Sequence, residues 1–107
     1  MILGVEVLKD PACSIEKTLE IIGNKWSFLV LRELYDGTKR FNELRRSIEG
    51  ISPNALTSTL KHLEQKEVVK RKAIPTVPVT VEYSLTEKGQ SFNSVLKEMK
   101  KWAREWG

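Results

Sequence analysis

Cysteine is nearly absent from this chain: Cys13 is the only one among 107 residues. A single thiol forms no internal disulfide and supplies too few ligands for a cysteine-based metal site. Long apolar runs are absent as well, since none approaches the roughly 18 residues that a membrane-spanning helix needs. The start, MILGVEVLKD, has no basic leader, so it does not read as a signal peptide. These absences predict a reducing, cytoplasmic setting.

Residue patterns typical of catalysis are also missing. His62 is the only histidine, and it has no cysteine or second histidine with which to share a metal ion. The sequence contains no paired catalytic carboxylates, no serine–histidine arrangement with an orienting group and no glycine-rich phosphate loop. We therefore expect a protein that is not an enzyme and that binds no metal ion or other cofactor.

Positive charge, by contrast, is concentrated in one third of the chain. Residues 37–72 hold nine basic and four acidic side chains, whereas the remaining residues hold nine basic and ten acidic ones. A concentrated positive patch attracts polyanions at long range. The alternative is a solvated charged face without a partner, and charge alone does not decide between the two.

The apolar pattern predicts a mainly α fold with a small β-hairpin. Helices are predicted at residues 14–23, 25–36, 42–49, 52–66 and 86–106. Plausible N-caps precede or begin four of them, at Ser14, Asn42, Ser52 and Thr86. Two β-rich runs surround a PTVP loop within residues 68–85 and predict the hairpin. Residues 1–12 read as an N-terminal extension, and residues 13–107 as a single domain.

A helix-turn-helix is indicated in the middle of the chain. Only Gly50, Ile51 and Ser52 separate the third predicted helix from the fourth, which is the spacing of that motif. The order helix, helix, helix-turn-helix, hairpin, helix is that of a winged helix, in which residues 68–85 form the wing. Gly89, in the first turn of the last predicted helix, indicates a close packing contact.

Three segments carry a family resemblance. They are CSIEKTLEIIGNKWSFLVLRELYDGTKRFNELRRSI, GISPNALTSTLKHLEQKEVVKRK and VPVTVEYSLTEKG. Over residues 13–106 the chain resembles the HxlR-type regulators, small winged helix-turn-helix DNA-binding proteins of bacteria and archaea. The resemblance implies a homodimer that binds an inverted repeat near a promoter. It also implies a recognition helix in the major groove and dimerisation through the N- and C-terminal helices.

The fourth predicted helix carries short polar side chains where a merely solvated helix usually carries long ones. Short groups near the start of a helix can reach base edges in the major groove, and Lys61, further along, can reach a guanine edge or a phosphate. The predicted base contacts are Ser52, Asn54, Thr57, Ser58 and Lys61. The alternative is that these are cap and surface residues without a partner.

Basic side chains around this helix are expected to contact phosphates, which position a protein on DNA without reading its sequence. The predicted phosphate and wing contacts are Lys39, Arg40, Arg45, Arg46, Lys70, Arg71 and Lys72. Strand alternation directs Lys70 and Lys72 to one face of the wing and Arg71 to the other.

The last predicted helix has more apolar surface than one small domain is expected to cover. The predicted dimer interface comprises Phe92, Leu96, Met99, Trp102 and Trp106. A two-fold dimer fits this surface because its symmetry matches that of a palindromic site. The apolar start of the chain is expected to join the interface. The alternative is a helix that packs only on its own domain.

Cys13 is the one candidate for covalent chemistry. A helix N-terminus lowers the pKa of a thiol, and Lys17, one turn on, would add to the effect. Some HxlR-type relatives sense electrophiles or oxidants through a cysteine that aligns with Cys13, which makes it a candidate redox sensor. The alternative is a buried, inert cysteine.

A second function also fits a winged helix, namely a protein–protein interaction module without specific DNA binding. In that case the fourth helix should expose large apolar anchors, because interface hot spots favour Trp, Tyr and Arg.

Overall fold

The computed structural model describes residues 15–107. Helix α1 covers residues 15–22 and is followed by α2 (Lys25–Leu34), β1 (Lys39–Arg40), α3 (Phe41–Ser47) and α4 (Pro53–Gln65). The chain continues through β2 (Val69–Ile74), β3 (Thr80–Leu85), α5 (Glu87–Gln90) and α6 (Asn93–Trp106). This is the predicted winged helix-turn-helix, mainly helical with a small antiparallel sheet. The predicted N-terminal extension, Ser14 and Cys13 lie outside the described residues.

The core lies between α2, α4 and the sheet. Val30 and Leu31 of α2 are fully buried, as are Leu56 and Leu63 of α4. Asn24 caps α2, because its side-chain oxygen accepts a hydrogen bond of 2.9 Å from the Ser27 backbone N–H. Helix α2 is therefore central to the core, and its Trp26, Phe28 and Leu29 side chains also pack against it.

The sheet has three antiparallel strands in the order β1-β3-β2. The predicted hairpin is β2–β3, with Val69 opposite Leu85 at the buried end and Ile74 opposite Thr80 at the far end. The short extended segment before α3 forms the third strand and places Arg40 opposite Glu82.

The predicted cap of the third helix is wrong. The helix begins at Phe41, Arg40 occupies the N-cap position, and Asn42 lies within the first turn. The Glu43 carboxylate accepts a hydrogen bond of 2.8 Å from the Arg40 backbone N–H, so a residue three positions along closes the helix end instead.

A tight joint connects the end of α4, the end of β3 and α5. Thr86 caps α5 as predicted: its hydroxyl oxygen accepts a hydrogen bond of 3.0 Å from the Gly89 N–H. The same hydroxyl donates to the Glu67 carbonyl oxygen over 2.6 Å. A Cβ on Gly89 would lie 2.0 Å from the Val68 carbonyl oxygen. The joint therefore closes only if position 89 has no side chain, which explains the glycine within a helical segment.

The single helix predicted over residues 86–106 is instead two helices, with Ser91 and Phe92 between them. The Tyr35 hydroxyl lies 2.9 Å from both the Gly89 and the Gln90 carbonyl oxygens and can donate its proton to either of them. The Gly89 carbonyl oxygen also accepts a hydrogen bond of 3.1 Å from the Phe92 N–H. In a continuous helix these carbonyls would accept from residues 93 and 94. Burial raises the pKa of Tyr35 above its ordinary value, and the phenol, protonated at neutral pH in either case, is able to donate.

Candidate nucleic-acid interface

The turn between α3 and α4 sets the direction of α4. Gly50 has a positive φ of 82°, a conformation that glycine adopts without strain. The buried side chain of Ile51 then anchors the turn in the core. Ser52 caps α4, because its hydroxyl oxygen accepts a hydrogen bond of 3.1 Å from the Ala55 N–H, and Pro53 occupies the first helical position. The start of α4 is thus fixed as the sequence predicted.

Helix α4 has one buried face and one open face. Leu56, Leu60 and Leu63 are buried, whereas the five residues predicted to contact bases are exposed. Four of those five line a shallow surface groove together with His62 and Gln65, and these four are Asn54, Thr57, Ser58 and Lys61. Gln65 was not predicted as a site residue, although helical periodicity alone places it in line with Asn54 and Ser58.

The short polar groups of this groove are not used by the fold. Within residues 15–107, the side chains of Asn54, Thr57 and Ser58 have no hydrogen-bond partner. Ser52, which does not line the groove, has one at the N-cap, and its hydroxyl still has a proton to donate because it acts as an acceptor in the cap. We call the four residues Ser52, Asn54, Thr57 and Ser58 the polar strip. Its side chains can donate hydrogen bonds to, and accept them from, a ligand that lies across the start of α4.

Two of the predicted phosphate contacts come together beside α3. Arg40 and Arg46 line one surface depression, with Asn42, Glu43 and Glu82 also at its edge. The depression therefore contains both charge signs, and it shares no lining residue with the groove on α4. Arg45 is exposed on the same helix. Lys39 lies opposite Tyr83 in the sheet, and its side chain projects from the face of β1 opposite to that of Arg40.

The wing separates its three basic residues between two faces, as alternation predicted. Lys72 lies opposite Glu82 and Lys70 opposite Ser84, so both project from one face. Arg71 lies opposite Tyr83, which packs against the core, and it projects from the other face. All three are exposed.

The predicted dimer interface needs a correction at two positions. Phe92 and Leu96 are 8% and 4% exposed and belong to the core of their own protomer. Phe92 at the N-cap of α6 and Leu96 within it both point inward, so the apolar arc predicted for the last helix contacts the core at one end and is exposed at the other. Met99, Trp102 and Trp106 remain 44%, 64% and 74% exposed.

An apolar surface therefore remains open on α6. Val95, Met99 and Trp102 line a groove that is flanked by Glu98 and Glu105. Ile15 and Leu19 of α1 are also more than half exposed. We call the exposed residues Val95, Met99, Trp102 and Trp106 the α6 apolar face. A contiguous exposed apolar surface of this kind is typical of an interaction site.

Residues 15–107 contain no cluster of three or more histidine, cysteine, aspartate or glutamate side chains that could hold a metal ion. No helix in the same range is long and apolar enough to cross a bilayer.

The sequences of several known proteins match this chain over most of its length. A sequence model of the family described as "HxlR-like helix-turn-helix" matches residues 21–107. The HTH-type transcriptional regulator YodB of Bacillus subtilis (strain 168) is 41% identical over 92 residues, which cover 86% of this chain and 82% of YodB. An uncharacterized HTH-type transcriptional regulator of Methanothermobacter thermautotrophicus is 43% identical over 95 residues, covering 89% of this chain and 72% of that protein.

Solved structures agree with the sequence relatives. The redox regulator HypR in its oxidized form superimposes with a TM-score of 0.81 at 41% identity, covering 87% of this chain and 96% of that chain. The reduced form of YodB from B. subtilis gives a TM-score of 0.80 at 41% identity, covering 87% and 91%. The chain belongs to the HxlR-like helix-turn-helix family of transcriptional regulators.

Proposed function

We propose that this protein is a homodimer that binds inverted-repeat DNA near a promoter and reads its sequence with α4. The observation that carries the proposal is the polar strip, whose side chains point outward and, Ser52 apart, have no partner in the fold. A protein that binds chromosomal DNA must be in the same compartment as that DNA. The cytoplasm therefore remains the predicted location.

The chemistry of the polar strip suits a base edge. Asn54 has a carboxamide that can pair bidentately with adenine, and Thr57 offers both a hydroxyl and a methyl group, the latter for contact with thymine. Lys61 lies one turn further along α4 and can reach a guanine edge or a phosphate. The positive end of the α4 dipole adds a favourable interaction with a nearby phosphate.

The basic side chains would supply the affinity that does not depend on sequence. Arg45 and Arg46 lie on α3, and Arg40 lies at its N-cap. In this motif α3 is the helix that crosses the DNA backbone. Lys70 and Lys72 share one face of the wing, so they and Arg71 contact different strands or grooves. Each phosphate neutralised adds to the salt dependence of binding.

The α6 apolar face is the proposed dimer contact, with Ile15 and Leu19 of α1 at its edge. Four exposed apolar side chains on one helix, two of them tryptophans, favour association with a second copy rather than packing on the same protomer. An isologous dimer presents two copies of α4 related by a two-fold axis, as an inverted repeat requires.

A winged helix used only for protein–protein assembly remains the second candidate. Its recognition helix should expose large apolar anchors, yet the outward face of α4 is polar and its leucines are buried. The exposed tryptophans lie on α6 instead, where the dimer accounts for them. DNA binding is therefore the better supported function.

Selection from a random-sequence duplex library, with the full chain as bait, tests the proposal. We expect an inverted repeat whose half-sites lie about 10 base pairs, or a multiple of that, apart. Mobility shifts with the recovered duplex should weaken log-linearly with salt, with a slope near 0.9 per phosphate neutralised. Recovery of no sequence motif, or binding that is insensitive to salt, would contradict the proposal.

Replacing Asn54 with alanine should remove one direct base contact. We expect a loss of about 1–3 kcal/mol of discrimination at one base pair of each half-site, because a bidentate pair contributes about that much. Lys72→Ala is the matched control. It should weaken binding to all duplexes equally and reduce the salt slope by about one, since a phosphate contact carries no sequence information. Equal behaviour of the two variants would remove Asn54 from the base contacts.

Cys13 is the proposed sensor, and it lies outside the described residues. The proposal draws on the similarity to HypR, which is named as a redox regulator. We expect DNA binding by the wild-type chain to change severalfold after quinone or hypochlorite treatment, because a thiolate adds electrophiles and is oxidised. Cys13→Ser should bind untreated DNA normally and give no response in the same mobility shift. An unchanged response in Cys13→Ser would rule out this role.

A further inference from the structure

The tip of the wing differs chemically from the strands that lead to it. Residues 73–81 contain no charged side chain, whereas the preceding strand residues Lys70, Arg71 and Lys72 are all basic. Val77 lies at the end of the hairpin between Pro75 and Pro78 and is 101% exposed. We call residues 75–78 the wing tip. A neutral apolar tip cannot form the phosphate ion pairs that the rest of the wing is equipped to form.

The wing tip is held in one shape by Thr76. Its backbone N–H donates to the Ile74 carbonyl oxygen over 2.7 Å. Its hydroxyl lies 2.8 Å from the Pro78 carbonyl oxygen and 2.8 Å from the Thr80 hydroxyl. Proline at two of the four tip positions further limits the backbone. Val77 itself is stiff at χ1, so it is presented in a defined position at little entropic cost.

We propose that Val77, which the wing tip presents to the minor groove beside each half-site, discriminates against guanine there. This inference rests on the proposed function and concerns base pairs that α4 does not reach. The partner is the floor of the DNA minor groove, and the group that is rejected is the guanine 2-amino group.

The chemistry of the minor groove explains why an apolar tip would discriminate. A·T and T·A pairs present only acceptors on the groove floor, and G·C pairs add the N2 amino group of guanine. That amino group needs a hydrogen-bond acceptor or water, and the Val77 side chain offers no acceptor. A G·C pair beneath Val77 would therefore leave a donor desolvated and unpaired, which is unfavourable.

The charge pattern of the wing favours DNA over a protein as the partner. The strand leading to the tip has three consecutive basic residues, which suit the phosphates that line both sides of a groove. A single exposed valine is also a small surface for a stable protein contact, which typically buries several hundred Å² on each partner. A groove about 6 Å wide admits a narrow turn more readily than a broad surface.

Inosine substitution in the selected duplex tests the inference, since inosine has the major-groove edge of guanine but lacks its 2-amino group. Base pairs flanking each half-site are changed one at a time from A·T to G·C and to I·C, and binding of the full chain is measured by mobility shift. At the positions beneath the tip, G·C should weaken binding about fivefold to tenfold, and I·C should restore it. Adding the amino group back with 2,6-diaminopurine opposite thymine should weaken binding again.

The variant Val77→Ala connects the effect to the tip. It should bind A·T and G·C flanks within about twofold of each other, because the smaller side chain leaves room for a water molecule to accept from the guanine 2-amino group. The salt slope should be unchanged because no charge is removed. Val79→Ala, which truncates a second exposed valine outside the wing tip, is the matched control and should keep the wild-type preference.

The inference fails if I·C behaves like G·C, if no flanking position shows a preference, or if Val77→Ala retains the preference. Those results would leave the tip free for another partner, such as a protein, while sequence-specific binding by α4 would still stand. Failure to recover any specific duplex would instead overturn the proposed function itself.

Discussion

Replacing Trp102 with glutamate should separate the dimer. Trp102 is 64% exposed in the protomer and lies in the centre of the α6 apolar face, between Glu98 and Glu105 at the groove edge. A large aromatic side chain at an interface contributes about 2 kcal/mol or more, and a two-fold interface loses it twice. We therefore expect the dimer dissociation constant to rise by about a thousandfold, which corresponds to about 4 kcal/mol. Analytical ultracentrifugation at micromolar concentration measures this directly.

The same variant should lose most of its DNA affinity. A monomer contacts one half-site only, so it forfeits the contacts of the second copy of α4. Helical content by circular dichroism should be preserved, because the mutated side chain is largely outside the protomer core. Lys97→Glu introduces the same side chain on another face of α6, next to the cleft with α2, and should remain dimeric. A Trp102→Glu protein that still sediments as a dimer would remove the α6 apolar face from the interface.

Gly89→Ala should be the most destabilising single-methyl change in this part of the fold. The new Cβ would stand 2.0 Å from the Val68 carbonyl oxygen and 3.2 Å from the Leu85 side chain. That carbonyl also accepts a hydrogen bond of 3.1 Å from the Thr86 N–H, so it cannot move aside without breaking the joint. We expect the free energy of unfolding to fall by about 3 kcal/mol.

Urea denaturation at a fixed protein concentration measures the effect, since dimerisation makes apparent stability concentration-dependent. Gln90→Ala is the control, because its side chain is exposed on the same short helix, and it should change stability by less than about 0.5 kcal/mol. Wild-type stability in Gly89→Ala would mean that the joint between α4, β3 and α5 opens at little cost.

The buried face of a helix and its capped start can be predicted from the sequence, because both depend on residues only a few positions apart. Leucines at helical spacing determine which side of α4 is buried, and this alone places Asn54 and Ser58 outside. Ser52 and Thr86 cap their helices through contacts only three residues away, which the sequence displays directly.

Two predictions about the last helix, its continuity over residues 86–106 and its set of exposed apolar residues, are wrong because they depend on contacts between distant parts of the chain. At the break between α5 and α6, the last carbonyls of α5 accept hydrogen bonds from the Tyr35 hydroxyl, which comes from 54 residues earlier in the chain. The apolar arc of the last helix could not be divided from the sequence between core and interface, because Phe92 and Trp102 belong to the same arc. Only the packing of α6 on its domain shows that Phe92 turns inward and Trp102 outward. The basic wing residues and the polar strip were placed correctly on the surface, but their contact with DNA remains a prediction.

The phenol of Tyr35 has a geometric consequence for the spacing of the operator. It ties the end of α5, from which α6 continues, to the end of α2, and α6, with 14 residues, is about 21 Å long. A tilt of roughly 10° at its base would displace the far end by about 3.7 Å, slightly more than the rise of about 3.4 Å between neighbouring base pairs. In the proposed dimer, the hydrogen bonds of the Tyr35 hydroxyl therefore help to keep the distance between the two copies of α4 constant to within the spacing of one base pair.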